Sequence, residues 1–204
     1  MEDKELVKYA TATESRNKYK GENQDSGFAG RVVLADGEIA YIACVADGVG
    51  SSEENKARTA SLLTIFAFQD ALRTTTTSTF STLNQIYSWA DDWGSKLQED
   101  VSRRARYGMS TFCAVLLVPN SEDKWSLVSF NVGDSSSFMV SQNAVVSLVP
   151  PAPKDYPNSD SSGALERAVG QDVPVGMHIF DISLRLIKSS EQSWFVVLME
   201  LQNF

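Results

Sequence analysis

Two apolar runs, residues 28–34 and 39–46, stand on either side of Ala35-Asp36-Gly37-Glu38, and this pattern constrains the fold more than any other part of the chain. Asp-Gly between runs of β-branched and small apolar residues makes a hairpin turn, so the two runs are expected to pair as antiparallel strands. The second run closes at Asp47-Gly48. After Gly50 the period changes. Ala57, Ala60, Leu63, Ile65, Ala67 and Phe68 recur at helical spacing, with Ser51 and Ser52 as N-cap candidates and Glu53 and Glu54 in the first turn. A helix over about residues 53–72 follows.

A Thr/Ser-rich loop is expected at residues 74–79. A second amphipathic helix is expected over about 82–106, where Leu83, Ile86, Tyr87, Ala90, Trp93, Leu97 and Val101 are spaced by three or four and Gly94 weakens the middle. Further strands are expected at 110–118, 125–132, 137–140 and 144–148, with turns at Pro119-Asn120 and Gln142-Asn143. Residues 150–163 are proline-broken and polar and read as a linker. A short helix at 164–169 and strands at 178–187 and 194–201 complete the chain. Strand pairs with segregated helices, rather than alternating βαβ units, describe an α+β fold with antiparallel sheets. With no internal repeat and no domain-scale linker, residues 1–204 are read as one domain.

Composition excludes several functions. Against 18 basic residues stand 26 acidic ones, a net charge of −8, so the surface repels nucleic acid phosphates and no nucleic-acid partner is expected. The first 25 residues are polar and mixed in charge, unlike a signal peptide, and no apolar stretch reaches the roughly 18 to 20 residues that span a bilayer. No membrane association is expected. Cys44 and Cys113 each sit in an apolar run without metal-ligand spacing, and read as buried free thiols of a cytoplasmic protein. The single histidine, His178, excludes a multi-histidine zinc site and reads as an ordinary strand residue. The tryptophans Trp89, Trp93, Trp125 and Trp194 read as packing residues.

Three aspartates stand where apolar strands start or stop: Asp25 before the first, Asp47 after the second, and Asp134 in Asn131-Val132-Gly133-Asp134-Ser135. A carboxylate at such an edge is held by the sheet while facing solvent, and Gly48 permits close backbone approach to a ligand. Each alone is an ordinary turn aspartate. Clustered carboxylates, however, are what a hard divalent cation requires.

The ordered series Lys20-Gly21-Glu22-Asn23-Gln24-Asp25-Ser26-Gly27-Phe28, Val45-Ala46-Asp47-Gly48-Val49-Gly50, Gly108-Met109-Ser110-Thr111 and Val132-Gly133-Asp134-Ser135 resembles that of the metal-dependent type 2C protein serine/threonine phosphatases, the PPM family, in its bacterial form. Leu165-Glu166-Arg167-Ala168-Val169-Gly170 is similar to the family's next signature. The resemblance covers residues 20–170. It implies a four-layer αββα sandwich, two antiparallel sheets flanked by helix pairs, and two Mn²⁺ or Mg²⁺ ions at one end, with a third, weaker site.

Residue by residue, the resemblance makes Asp47 the carboxylate that bridges the two metals and Gly48 a backbone-carbonyl ligand. It makes Asp25 the acidic residue beside the second metal and Asp134 a ligand of the third. The implied reaction is attack of a metal-activated water on a phosphoserine or phosphothreonine, without a phosphoenzyme. A phosphoprotein tied to a serine/threonine kinase is then the implied partner, and a monomer is expected.

The chain departs from the family pattern in three places. Lys20 stands where the family has its phosphate-binding arginine, which keeps the charge and loses the bidentate fork, with Arg16 nearby. Val49 follows Asp47-Gly48 where animal members carry a histidine. The family's two C-terminal metal aspartates have only Glu200 near the first, and nothing stands for the second. The C-terminal metal-ligand segment is thus expected to be missing and the last part of the sandwich incomplete. The alternative function is a catalytically weak or inactive phosphatase-like binding module, or a truncated gene product.

Overall fold

In the computed structural model of the chain, β1 (Ser26–Val33) and β2 (Ile39–Ala46) form the expected antiparallel hairpin, registered from Ser26 opposite Ala46 to Val33 opposite Ile39. The structure describes residues 23–49, 54–105, 108–121, 124–140, 144–148, 169, 178–185 and 195–199. At the hairpin turn Gly37 adopts φ 87°, a conformation that costs glycine little and other residues more.

Helix α1 (Glu54–Arg73) follows, and α2 (Leu83–Arg104) runs without a break past a buried Gly94. Thr82 caps α2, its side chain accepting from the Gln85 amide. The expected loop at 74–79 is partly a 3-10 helix, Thr77–Phe80. Asp36 explains it: Oδ2 accepts from the Thr77 amide at 2.7 Å and from Thr77 Oγ1 at 2.8 Å, so the β1–β2 turn holds the start of this helix.

The remaining described strands are β3 (Phe112–Ser121), β4 (Lys124–Val132), β5 (Ser136–Val140), β6 (Val145–Ser147), β7 (His178–Arg185) and β8 (Phe195–Met199). They form a five-stranded sheet in the order β1-β2-β3-β4-β7 and a three-stranded sheet in the order β6-β5-β8, with every pair antiparallel. The turn expected at Pro119-Asn120 is instead strand. β3 continues through Pro119, paired with Trp125, and the register shifts between Pro119 and Ser121, the kind of bulge at which a sheet tolerates proline. Of the helix expected at 164–169, residues 164–168 lie outside the described residues, and Val169 forms a β-bridge with Ser110. The linker at 150–163 also lies outside them.

Strand alternation separates two cores. Ile42, Cys44, Ala114, Leu116, Val128 and Phe130 face the helices and meet Phe68, Leu72, Trp93 and Leu97. Phe68, fully buried, has the rings of Phe112, Trp93, Phe130 and Trp89 within 5.1 to 6.3 Å. On the other face Val115, Leu127 and Leu148 form a smaller core toward the three-stranded sheet. The described residues thus supply three of the four expected layers: a helix pair and two antiparallel sheets.

Trp89 and Trp93 stack in the helix-side core and Trp125 packs on Tyr41, as expected of packing residues, while Trp194 lies outside the described residues. Cys44 and Cys113 are free and buried. Cys44 is registered with Ala114, and Cys113 with Val45, so the thiols occupy neighbouring rows that face opposite sides of the sheet. Among the described residues no helix is long and apolar enough to cross a membrane.

Candidate metal centre

The β1–β2 register decides where the first two aspartates lie. The Ser26–Ala46 row faces α1, where Ser26 Oγ and Ser61 Oγ are 2.8 Å apart. Asp25 and Asp47 directly follow this last row at one end of the large sheet, and the same register continued by one residue would set them opposite each other on the other face. Both are half-buried. The Asp25 segment is tied to the helix as well, because Ser61 Oγ donates to the Gln24 carbonyl at 2.6 Å. Asp25 itself donates its amide to Asn23 Oδ1 at 3.0 Å.

Asp47 is held through its backbone. Its carbonyl accepts from the Thr111 amide and from Ser110 Oγ, each at 2.9 Å, and its amide donates to Thr111 Oγ1 at 3.0 Å. Gly48 faces Ser110 in an isolated bridge whose two hydrogen bonds come from the flanking Asp47 carbonyl and Val49 amide, so neither uses a peptide group of Gly48. A Cβ on Gly48 would lie 2.6 Å from the Ala57 carbonyl oxygen and 2.8 Å from that of Gln24. Only glycine fits where the strand end, α1 and residue 24 converge.

The third aspartate stands on a turn latched from both sides. Gly133 adopts φ 96°, and the Asn131 side-chain amide donates to the Ser135 carbonyl across the turn. Ser135 Oγ lies 2.7 Å from Thr111 Oγ1, the oxygen that receives the Asp47 amide. Thr111 is 0% exposed, and Ser135 and Asn131 are each 1% exposed. Burial pushes the Asp134 carboxyl above its usual range, opposed in part by a hydrogen bond from its own amide. A neighbouring cation would offset that desolvation.

The donors at this end are carboxylate and carbonyl oxygens, which suit Mg²⁺ and Mn²⁺ better than thiophilic metals. Among the described residues no three His, Cys, Asp or Glu side chains come close enough together to hold a metal, so Asp25, Asp47 and Asp134 do not by themselves form such a cluster. Lys20, Arg16 and Glu200 lie outside the described residues. His178 is placed by its backbone opposite Asn131, at the same end of the sheet. Sequence reasoning gave no role to Ser61, Thr111, Asn131 or Ser135. The signal was present in Ser110-Thr111 and in Asn131 to Ser135, where small polar residues interrupt strand ends otherwise made of apolar ones.

The sequence model of the protein phosphatase 2C family matches residues 14–171, which contain all of these positions except Glu200 and His178. The chain belongs to the protein phosphatase 2C family. No sequence among curated proteins matches this phosphatase 2C chain at a significant level. Solved structures do. The S. agalactiae serine/threonine phosphatase shares its fold with a TM-score of 0.63 at 18% identity, over 90% of this chain and 74% of that one. Serine/threonine phosphatase Stp1 from Staphylococcus aureus matches with a TM-score of 0.57 at 17% identity, over 83% and 68% of the two chains. The catalytic domain of the serine/threonine protein phosphatase PstP, solved in complex with two manganese ions, matches with a TM-score of 0.50 at 17% identity, over 82% and 69%.

Proposed function

We propose that this chain is a protein serine/threonine phosphatase that hydrolyses phosphoserine and phosphothreonine with the help of Mn²⁺ or Mg²⁺. The observation that carries this reading is the placement of Asp25, Asp47 and Gly48 at one end of the large sheet of a phosphatase 2C fold. The two manganese ions of PstP support the choice of metal.

Asp47 and the Gly48 carbonyl would hold the first ion, Asp47 and Asp25 the second, and Asp134 a third, weaker one. Bound divalent ions supply positive charge that acidifies a water and neutralises phosphoryl oxygens. The chain's own contribution is placement. Backbone bonds from Ser110 and Thr111 fix Asp47, and Ser61 fixes the carbonyl that precedes Asp25, so the two carboxylates reach the site from rigid elements. Lys20 would meet the substrate phosphate as a point charge, without the two-pronged grip of arginine. Glu200 would add a carboxylate from the C-terminal segment. The substrate would be a phosphoprotein of a kinase pathway, met by a monomer in the cytoplasm.

Isothermal titration with Mn²⁺, combined with p-nitrophenyl phosphate turnover, tests this reading. Saturable binding with metal-dependent phosphate release is expected. Binding too weak to saturate at millimolar Mn²⁺, with no turnover, would replace it with a phosphatase-like binding module. Lys20→Arg should raise turnover by restoring the fork, and an unchanged rate would remove Lys20 from the site.

A further inference from the structure

Asp47 and the Asp134 turn belong to different strands, yet one chain of buried hydroxyls joins them. The Asp47 amide donates to Thr111 Oγ1 at 3.0 Å, and that oxygen lies 2.7 Å from Ser135 Oγ. Ser135 follows Asp134 directly, and its carbonyl receives the Asn131 side chain. Both hydroxyls are essentially sealed from water. A buried threonine oxygen that already accepts from a backbone amide keeps its alignment better when its own hydrogen or its remaining lone pair is also engaged. Ser135 supplies that engagement.

We propose that Ser135 is a positioning residue: through Thr111 it locks the backbone of Asp47 to the Asp134 turn, so that the two carboxylates are held in one geometry. The catalytic part of this inference rests on the phosphatase reading above, whereas the backbone lock does not. Ser135 touches no reacting group. It acts through Thr111, and removing its hydroxyl frees the threonine side chain to rotate away from the Asp47 amide. Cation binding near Asp134 and near Asp47 would then become less coupled, since movement of the turn would no longer reach the β2 end.

The test uses the 204-residue chain and three variants: Ser135→Ala, Thr111→Val and Thr111→Ser. Amide hydrogen exchange in the metal-free protein reads the lock directly. Ser135→Ala and Thr111→Val should each speed exchange at the Asp47 amide by about tenfold, with Cys44 within β2 unchanged, and Thr111→Ser should restore protection. Mn²⁺ titration should show a loss of affinity of about tenfold in Ser135→Ala, the scale seen when partners of metal ligands are removed. The Asp134→Asn change should weaken binding in the wild-type background and have less effect in Ser135→Ala. Unchanged exchange at Asp47 in Ser135→Ala, or equal acceleration at Cys44, would overturn the proposal. If the wild-type chain binds no Mn²⁺, the phosphatase reading falls, and the exchange measurement still decides the lock.

Discussion

Ser26 lies directly opposite Ala46 in the last row of the β1–β2 ladder. That pairing is set by a turn at the far end of the hairpin, where Gly37 and Asp36 fix the register over eight residues. A slip of one residue would move Asp47 to the helix face and leave Asp25 opposite a different partner. The candidate metal centre therefore depends on a turn at the opposite end of the hairpin, and several consequences can be measured.

Gly48→Ala should destabilise the chain by about 1–3 kcal/mol, because the added carbon meets two backbone carbonyls that have no rotamer with which to yield. Gly37→Ala has nothing within 4 Å of its new carbon and should lose only the cost of a positive φ, about 1 kcal/mol. Urea midpoints of the two variants compare them. A smaller loss at Gly48 than at Gly37 would contradict the packing described around residue 48.

Phe68→Ala should cost about 3–5 kcal/mol, since its ring is the hub of the helix-side aromatic cluster. Thermal and urea unfolding should both shift. A loss below about 1 kcal/mol would mean that the cluster closes over the gap far better than such cores do.

Burial pushes the Cys44 thiol up to about 12 and the Cys113 thiol up to about 11. Above pH 9 the unfolded chain loses these protons while the folded chain keeps them, so stability falls as pH rises from about 9 towards the folded values. The slope is at most about 1.4 kcal/mol per pH unit for each thiol. Urea unfolding between pH 8.5 and 10.5 should be less steep in pH for Cys44→Ala than for the wild type. Iodoacetamide should modify neither cysteine in the native protein at pH 8 and both in urea.

Thr77's backbone amide, followed by its hydroxyl and the Glu38 amide, holds the Asp36 carboxyl below its usual value. The stabilisation is present above about pH 4 and is lost as pH falls through the depressed value. Asp36 is exposed, so solvent screening limits the effect to about 1 kcal/mol or less. Asp36→Asn should lower the pH 7 urea midpoint slightly and flatten its dependence below pH 4. Identical acid profiles would contradict a role for this cap.

Much of this architecture was legible in the residues themselves. The hairpin, both helices and the Asp25, Asp47 and Asp134 positions follow from local signals: Asp-Gly turns, helical periodicity, and strand runs that stop at a carboxylate. What was not legible depends on partners distant in sequence. Thr77 becomes helical because Asp36, forty-one residues earlier, accepts its amide. Pro119 remains in a strand because a bulge and Trp125 accommodate it. Ser135, to which the sequence assigned no role, is buried against Thr111. Burial and long-range hydrogen bonding are tertiary properties, and a single sequence carries them only as scattered small polar residues at strand ends.

The central claim is that Asp47 organises a metal-dependent phosphatase centre, and phosphate release from a phosphothreonine peptide in Mn²⁺ tests it most directly. The wild-type chain should release phosphate only when Mn²⁺ is present, and Asp47→Ala should abolish that release while keeping the wild-type unfolding free energy to within about 1 kcal/mol. A wild-type rate no greater than that of Asp47→Ala would contradict the account.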